Sequence, residues 1–134
     1  MEQSDKAAGP IRVLVVEDEI LISEWVTEAL AEQGFAVQAV TNAADAVGRL
    51  AAEAVDVLFT DINLPGGMDG AALARRAREL RPNLAVVYAS ARATTLAPDA
   101  RVPGAVILPK PYEPMLLGRL LATLSRTRAA AAPA

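Results

Sequence analysis

The sequence predicts an α/β fold, a doubly wound parallel sheet of five strands with helices on both faces. Short apolar runs alternate with segments whose apolar residues recur at helical spacing, a pattern typical of repeated strand and helix units. The runs are almost continuously apolar, as in parallel strands buried on both faces. A length of 134 residues, 53% of them hydrophobic, is enough for one domain with its own core.

The first half of the chain supplies three strands and two helices. Gly34 ends the first helix, and Asn42 is the predicted N-cap of the second, because its side chain can accept a hydrogen bond from a free backbone N–H. Trp25 lies beside the apolar face of the first helix and is predicted to belong to the core. The predicted elements are strand 11–16, helix 20–33, strand 36–40, helix 43–53 and strand 55–60.

The second half of the chain supplies two strands and two regular helices. Pro82 ends the third helix, and Pro114 suits the first turn of the last one. Pro98 and Pro103 interrupt the segment between strands four and five, so a fourth helix there is predicted to be short or irregular. The predicted elements are helix 70–80, strand 84–89, strand 105–108 and a last helix from 114, within a domain of residues 10–126 between disordered tails at 1–9 and 127–134.

The composition excludes several classes of function. A net charge of -3 argues against nucleic-acid binding, which needs a basic surface. The absence of cysteine and histidine removes disulfides, the usual zinc sites, thiol nucleophiles and histidine bases. The N-terminal segment is polar, and no run approaches the roughly 20 apolar residues of a membrane span. A cytoplasmic protein is predicted.

Three acids lie where two of the predicted strands end. Glu17 and Asp18 follow the first strand, and Asp61 follows the third. In a doubly wound sheet of order 2-1-3-4-5 these two strands are neighbours, about 4.8 Å apart, and ligands bind at their carboxyl ends. Three close carboxylates repel one another unless a cation or a proton relieves them, and Mg²⁺ prefers oxygen ligands. The sequence therefore predicts a Mg²⁺ site.

A hydroxyl and a lysine complete this group of residues. Ser90 follows strand four, next to Asp61, and Lys110 follows strand five, two strands away at roughly 10 Å. Lys110 is one of only two lysines in the chain, and its side chain is long enough to span that gap. We therefore expect the acids, the hydroxyl and the ammonium group to meet at one edge of the sheet.

Four short motifs carry a resemblance to a known family. They are VVEDE at 15–19, TDINLP at 60–65, YASA at 88–91 and LPKPY at 108–112. With these motifs in this order, residues 10–126 resemble the receiver domain of bacterial two-component response regulators. These domains form the CheY-like superfamily and have a flavodoxin-like fold. The chain is most similar to the stand-alone, single-domain type with an atypical fourth helix.

The resemblance implies a signalling role rather than an enzyme with an external substrate. Asp61 would accept a phosphoryl group from a phosphohistidine on a sensor histidine kinase or a histidine phosphotransfer protein. Ser90 and Lys110 would bind phosphoryl oxygens, and Mg²⁺ would be held by Asp18, Asp61 and the backbone carbonyl of Asn63, with Glu17 acting through water. The phosphorylated protein would bind a downstream protein target or pass the group along a phosphorelay, as a monomer or weak homodimer, without binding nucleic acid or membrane.

Some features depart from the usual receiver pattern or modify it. The loop at 64–70 is one residue longer, and Ile107 stands where many receivers carry a switching aromatic residue. The resemblance implies a cis peptide between Lys110 and Pro111. It also implies that Asn63 and Arg92 tune the loss of the phosphoryl group.

Other functions stay open on the residues alone. A phosphorylation-independent adaptor would keep the fold and only bind partners. An aspartate-nucleophile phosphatase would use related chemistry but needs a second acid two residues after the nucleophile, where this chain has Asn63. Nucleotide binding is disfavoured because no strand is followed by a glycine-rich phosphate loop.

Overall fold

A computed structural model describes residues 9–91 and 96–131. The strands are β1 (Arg12–Val16), β2 (Ala36–Val40), β3 (Val57–Asp61), β4 (Ala85–Ser90) and β5 (Val106–Pro109). The α-helices within these described ranges are α1 (Ile20–Glu32), α2 (Ala43–Ala52), α3 (Gly70–Leu80) and α4 (Pro114–Ala131). The predicted alternation of strand and helix is confirmed.

The strands form one parallel sheet in the order β2-β1-β3-β4-β5, as predicted. Val16 of β1 is in register with Thr60 of β3, so the residues that follow each of them lie side by side at the carboxyl edge. Asp61 is in register with Ala89, which precedes Ser90 on β4. The helix that follows β1 packs on one face of the sheet, and the helix that follows β3 packs on the other face. The crevice that this reversal leaves between β1 and β3 is the place where such sheets bind ligands.

The core consists of two layers, one on each face of the sheet. Because side chains alternate along a strand, Leu14 and Val16 point to one layer while Val13 and Val15 point to the other. The first layer is closed by α2 and α3, through Ala46, Leu50, Leu73, Ala74 and Ala77. The second layer is closed by α1 and α4, through Val26, Leu30, Leu117 and Leu121. Both faces are thus covered, which holds the carboxyl edge in a fixed geometry.

The segment between β4 and β5 is irregular, as its prolines predict. Its described part contains a single 3₁₀ turn, Pro98–Ala100, and no α-helix. Val102 anchors the segment, since its side chain is buried and its N–H donates to the Tyr88 hydroxyl at 3.2 Å. Arg92 lies outside the described residues, so its predicted role stays a prediction.

Two predicted element boundaries differ from the structure, whereas a predicted helix cap is confirmed. Strand β3 begins at Val57 rather than at residue 55, because Val55 packs against the core without entering the strand ladder. Helix α4 continues to Ala131, past the predicted domain boundary at 126, over alanine and arginine residues that favour helix. The Asn42 cap is confirmed, since its Oδ1 accepts a hydrogen bond from the Asp45 N–H at 2.8 Å. The remaining parts of the predicted tails, 1–8 and 132–134, lie outside the described residues.

Candidate functional site

Three acids meet at the carboxyl edge of β1 and β3. Glu17, Asp18 and Asp61 each present a carboxylate oxygen, and these oxygens all lie within 4.8 Å of one another. The side chains differ in exposure: Glu17 is 5% exposed and Asp61 9%, whereas Asp18 is open to solvent. The predicted grouping of these acids is therefore present, with one acid at the mouth and two inside.

Lys110 reaches the buried acids from β5. Its Nζ lies 2.8 Å from Asp61 Oδ1 and 3.3 Å from Glu17 Oε1. The backbone supports this reach, because the Lys110 N–H donates to the Ser90 carbonyl at 2.7 Å. The peptide bond from Lys110 to Pro111 is cis, as the resemblance implied.

Burial and the charges at this edge together shift the pKa values of Asp61 and Lys110. Burial raises the pKa of Asp61 to about 6, although the hydrogen bond from Lys110 opposes the shift and the Glu17 charge adds to it. Burial alone would lower the pKa of Lys110, but its hydrogen bond and charge interaction with Asp61, together with Glu17, raise it overall. One ammonium group thus faces two buried carboxylates and an exposed one, which leaves excess negative charge.

The remaining predicted residues occupy different positions around this group. Ser90 is 4% exposed at the end of β4, one residue beyond the register partner of Asp61. Asn63 is exposed in the loop that follows β3, two residues after Asp61. The structure therefore places Ser90 beside the acids and Asn63 at the rim.

Asp69 and Gly70 shape the site, and the sequence prediction did not identify either role. Asp69 caps α3, since its Oδ1 accepts a hydrogen bond from the Ala72 N–H at 2.9 Å. Gly70 packs so tightly on β3 that a Cβ atom at this position would overlap the backbone oxygen of Asp61. Its N–H also donates to the Ile62 carbonyl at 2.7 Å. The sequence signal that could have identified both roles is an aspartate followed by glycine at the start of a helix. Asp is a preferred N-cap residue, and glycine permits close approach of another backbone segment.

An aromatic group lies next to Lys110, and it corrects the prediction for Trp25. Tyr112 contacts Phe59 edge to face at a centroid distance of 5.4 Å and stacks on Trp25 at 6.1 Å. Trp25 is 49% exposed, so it is a surface residue rather than the predicted core residue. The prediction failed because Tyr112, eighty-seven positions further on, provides one packed face for the indole while the other meets solvent. Burial raises the pKa of Tyr112, and the negative charges of Glu17 and Asp61 add to this shift.

The donor set fits a hard divalent cation. All three grouped side chains offer carboxylate oxygens, the ligands that Mg²⁺ prefers, and no cysteine or histidine is available to favour a softer metal. A divalent ion would also neutralise the negative charge that Lys110 leaves uncompensated. Glu17, Asp18 and Asp61 are thus the residues that can hold such an ion.

This fold and this edge define a signalling domain of the CheY-like type, and sequence comparison agrees. The family model described as "Response regulator receiver domain" matches residues 13–121. The chain belongs to the response regulator receiver family.

Curated relatives place the chain among two-component signalling proteins. The response regulator receiver protein CpdR of Brucella abortus is 38% identical over 103 residues, which cover 75% of this chain and 85% of that protein. The transcriptional regulatory protein TctD of Salmonella typhimurium is 36% identical over 123 residues, 87% of this chain but only 53% of TctD. The chain therefore spans about half the length of TctD.

Solved structures show the same architecture. A response regulator receiver protein from Sinorhizobium medicae superposes with a TM-score of 0.83 at 32% identity, covering 89% of this chain and 97% of the other. A CheY-like receiver domain from Methanospirillum hungatei reaches the same TM-score of 0.83 at 21% identity, covering 92% of this chain and 100% of that chain. Because its sequence identity is low, the similarity to the Methanospirillum hungatei domain shows only that the two chains share a fold. Among the helices in ranges 9–91 and 96–131, none has both the length and the apolar character that a bilayer span requires.

Proposed function

We propose that the chain is a response regulator receiver domain that accepts a phosphoryl group on Asp61 from a phosphohistidine of a partner kinase or phosphotransfer protein. The observation that carries this proposal is the pairing of Asp61 with Lys110 beside Glu17 and Asp18, in a family that acts in two-component signalling. The protein would act in the cytoplasm, where such donors present their phosphohistidine.

The transfer needs a carboxylate nucleophile in reach of the donor. The Asp61 oxygen not held by Lys110 would attack the phosphorus atom, forming a P–O bond. The P–N bond to the donor imidazole then breaks, and its electron pair returns to that nitrogen, which takes up a proton. The product is an acyl phosphate on Asp61, which water later cleaves. Carboxylates serve as nucleophiles in reactions of this kind.

Side chains of this domain would position and stabilise the transferring group. Lys110 lies 2.8 Å from Asp61 and would pair as a point charge with a phosphoryl oxygen. Ser90, at the adjacent strand end, would donate its hydroxyl hydrogen to another. A Mg²⁺ ion held by Glu17, Asp18 and Asp61, with the Asn63 carbonyl at the rim, would offset the phosphoryl charge. Positioning and electrostatics account for most of the rate in phosphoryl transfer.

The signal would arise from the charge that phosphorylation adds. An aspartyl phosphate brings about -1.5 to -2 charges to an edge that already carries excess negative charge. Lys110 and Ser90 connect that edge to β4 and β5, so their rearrangement would alter the surface around these strands. A downstream protein would read that surface, or the group would move on in a phosphorelay.

Intact-protein mass spectrometry after treatment with acetyl phosphate and Mg²⁺ tests the proposal. We expect the wild-type protein to gain one phosphoryl group and Asp61→Asn to gain none. Asp69→Asn is the matched control, because it removes a nearby acid while asparagine keeps the α3 cap. An unmodified wild-type protein would contradict the proposal and favour the phosphorylation-independent adaptor.

A further inference from the structure

Thr60 places a buried hydroxyl next to Asp61 in a strand that is otherwise apolar up to that acid. It follows Val57, Leu58 and Phe59 on β3, and its own side chain is fully buried. Burying a hydroxyl costs free energy unless it forms a hydrogen bond, so packing alone would be served better by an apolar side chain of similar shape. A buried polar side chain at this position therefore indicates a task beyond filling the core.

The hydroxyl of Thr60 holds the backbone of its neighbour. It donates a hydrogen bond to the carbonyl of Asp61 at 2.9 Å. Because side chains alternate along a strand, Thr60 points with Leu58 towards the layer that α2 and α3 close. The Asp61 carbonyl faces the same side, since Gly70 at the start of α3 packs against that oxygen. The chain therefore leaves β3 in a bend that the Thr60 hydroxyl stabilises.

The peptide group between Asp61 and Ile62 is hydrogen-bonded at both of its polar ends. Thr60 donates to its carbonyl, and its N–H donates to the carbonyl of Ala89 on β4 at 3.1 Å. This peptide joins the acid to the loop that carries Asn63, so its orientation fixes how the Asp61 side chain and the Asn63 carbonyl lie relative to each other.

Lys110 fixes the Asp61 side chain from the other direction. Its Nζ lies 2.8 Å from Oδ1, so the carboxylate is held by a cation at its tip and by a hydrogen-bonded peptide at its base. Such positioning matters for the rate, because a misplacement of about 1 Å can slow a reaction about 100-fold. A peptide free to rotate would turn the other carboxylate oxygen, the one that would attack phosphorus, out of line.

We infer that Thr60 is a positioning residue for phosphoryl transfer to Asp61. Its hydroxyl fixes the peptide between Asp61 and Ile62, and this peptide directs the Asp61 carboxylate and the Asn63 carbonyl towards the same divalent ion and towards the phosphodonor. The inference rests on the proposed function, since it concerns the orientation of the accepting carboxylate. Thr60 acts through the backbone and does not itself contact the transferred group.

Labelling by acetyl phosphate and the Mg²⁺-induced rise in melting temperature test the inference together. Thr60→Val keeps the branched shape and removes the hydroxyl. We expect it to slow labelling at saturating Mg²⁺ and acetyl phosphate by about tenfold. Its melting temperature should also rise less than that of wild type at the same Mg²⁺ concentration. Thr60→Ser keeps the hydroxyl and should label close to the wild-type rate, although it lacks a buried methyl group.

Thr27→Val is the matched control, because it makes the same chemical change at a different site. Thr27 lies on α1, and its buried Oγ1 has no hydrogen-bond partner within the described ranges 9–91 and 96–131. We expect this variant to keep the wild-type labelling rate and Mg²⁺ response. Urea unfolding of all four proteins separates positioning from stability. A merely structural role of Thr60 would make the labelling rate follow the free energy of unfolding, whereas positioning makes it follow the presence of the hydroxyl.

Several results would overturn the inference. Labelling of Thr60→Val at the wild-type rate is one, and labelling of Thr60→Ser as slow as that of Thr60→Val is another. Equal slowing by Thr27→Val would also overturn it, because the effect would then not depend on the Asp61 carbonyl. Failure of acetyl phosphate to label the wild-type protein would instead overturn the proposed function, and with it this inference.

Discussion

Lys110 holds Asp61 across two strand spacings, with its Nζ 2.8 Å from the carboxylate Oδ1. Asp61 ends β3 and Lys110 directly follows β5, with β4 between these strands, so the ion pair passes over the end of β4. At that end, the backbone carbonyl of Ser90 accepts a hydrogen bond from the Lys110 backbone N–H at 2.7 Å. The lysine thereby ties three strands together at the edge where the acids gather, and its removal should affect both charge balance and stability.

Replacing Lys110 should destabilise the metal-free protein. We expect Lys110→Met to lower the free energy of unfolding by about 2 kcal/mol near neutral pH, because Asp61 and Glu17 would then face each other without a cation. The same substitution should lower the free energy of unfolding by a smaller amount in an Asp61→Asn background. Urea unfolding of the four proteins in this double-mutant cycle measures the coupling, and strictly additive effects would show that the ion pair contributes nothing.

Removing the charge of Asp61 should stabilise the protein in a pH-dependent way. The pKa of Asp61 rises from an ordinary 3.8 to about 6 on folding, so the folded state loses stability as pH rises through this window. In the presence of a metal chelator, Asp61→Asn should therefore raise the free energy of unfolding by about 2 kcal/mol above about pH 6 and converge with wild type near about pH 4. A stabilisation that is equal at both pH values would contradict the raised pKa.

Mg²⁺ should stabilise the wild-type protein through Asp18. A cation that binds only the folded state raises the melting temperature in proportion to the logarithm of its excess over Kd. We expect this shift in wild type and its near loss in Asp18→Asn, whose own stability without metal should change little because Asp18 is exposed. Asp69→Asn serves as control and should retain the shift. Identical Mg²⁺ responses of all three proteins would exclude Asp18 as a ligand.

Gly70 should tolerate no side chain. A methyl group there would overlap the backbone oxygen of Asp61, so Gly70→Ala must displace either α3 or the end of β3. We expect a loss of about 1–3 kcal/mol in the free energy of unfolding and weaker Mg²⁺-induced stabilisation. Gly67→Ala is the matched control, because a Cβ atom at Gly67 would meet open space. Equal stability of the two variants would contradict the close approach.

The single tryptophan should report on Tyr112. Because Trp25 stacks on this ring, Tyr112→Ala should expose the indole further and shift its fluorescence emission to longer wavelength. The substitution should also cost about 3 kcal/mol of stability through the cavity left beside Phe59. Tyr112→Phe, which keeps the ring, should leave the emission nearly unchanged. An unchanged spectrum in Tyr112→Ala would mean that the stack does not form in solution.

Local patterns were sufficient to predict the sheet and the grouped acids. The apolar runs of β1, β3 and β4 are unbroken because these strands are covered on both faces, and parallel pairing then brings the ends that carry Glu17 and Asp61 together. The reach of Lys110 also followed from strand spacing. These features depend on short-range periodicity and on a single topological rule.

Features that depend on distant partners were missed or predicted incorrectly. The exposure of Trp25 is decided by Tyr112, and the need for glycine at position 70 is decided by the backbone of Asp61. Neither contact leaves a periodic trace in the sequence. Helix α4 extends further than predicted because alanine-rich ends carry no stop signal, and helix boundaries are read mainly from such signals.

The contact between Lys110 and Glu17 joins residues 93 positions apart in the chain. During synthesis, the acids of β1 and β3 leave the ribosome long before the lysine that balances them. Every nascent intermediate that lacks Lys110 therefore also lacks the ammonium group that pairs with these carboxylates. The complete arrangement of acids and ammonium group at this edge therefore forms only after β5 and Lys110 have been added to the chain.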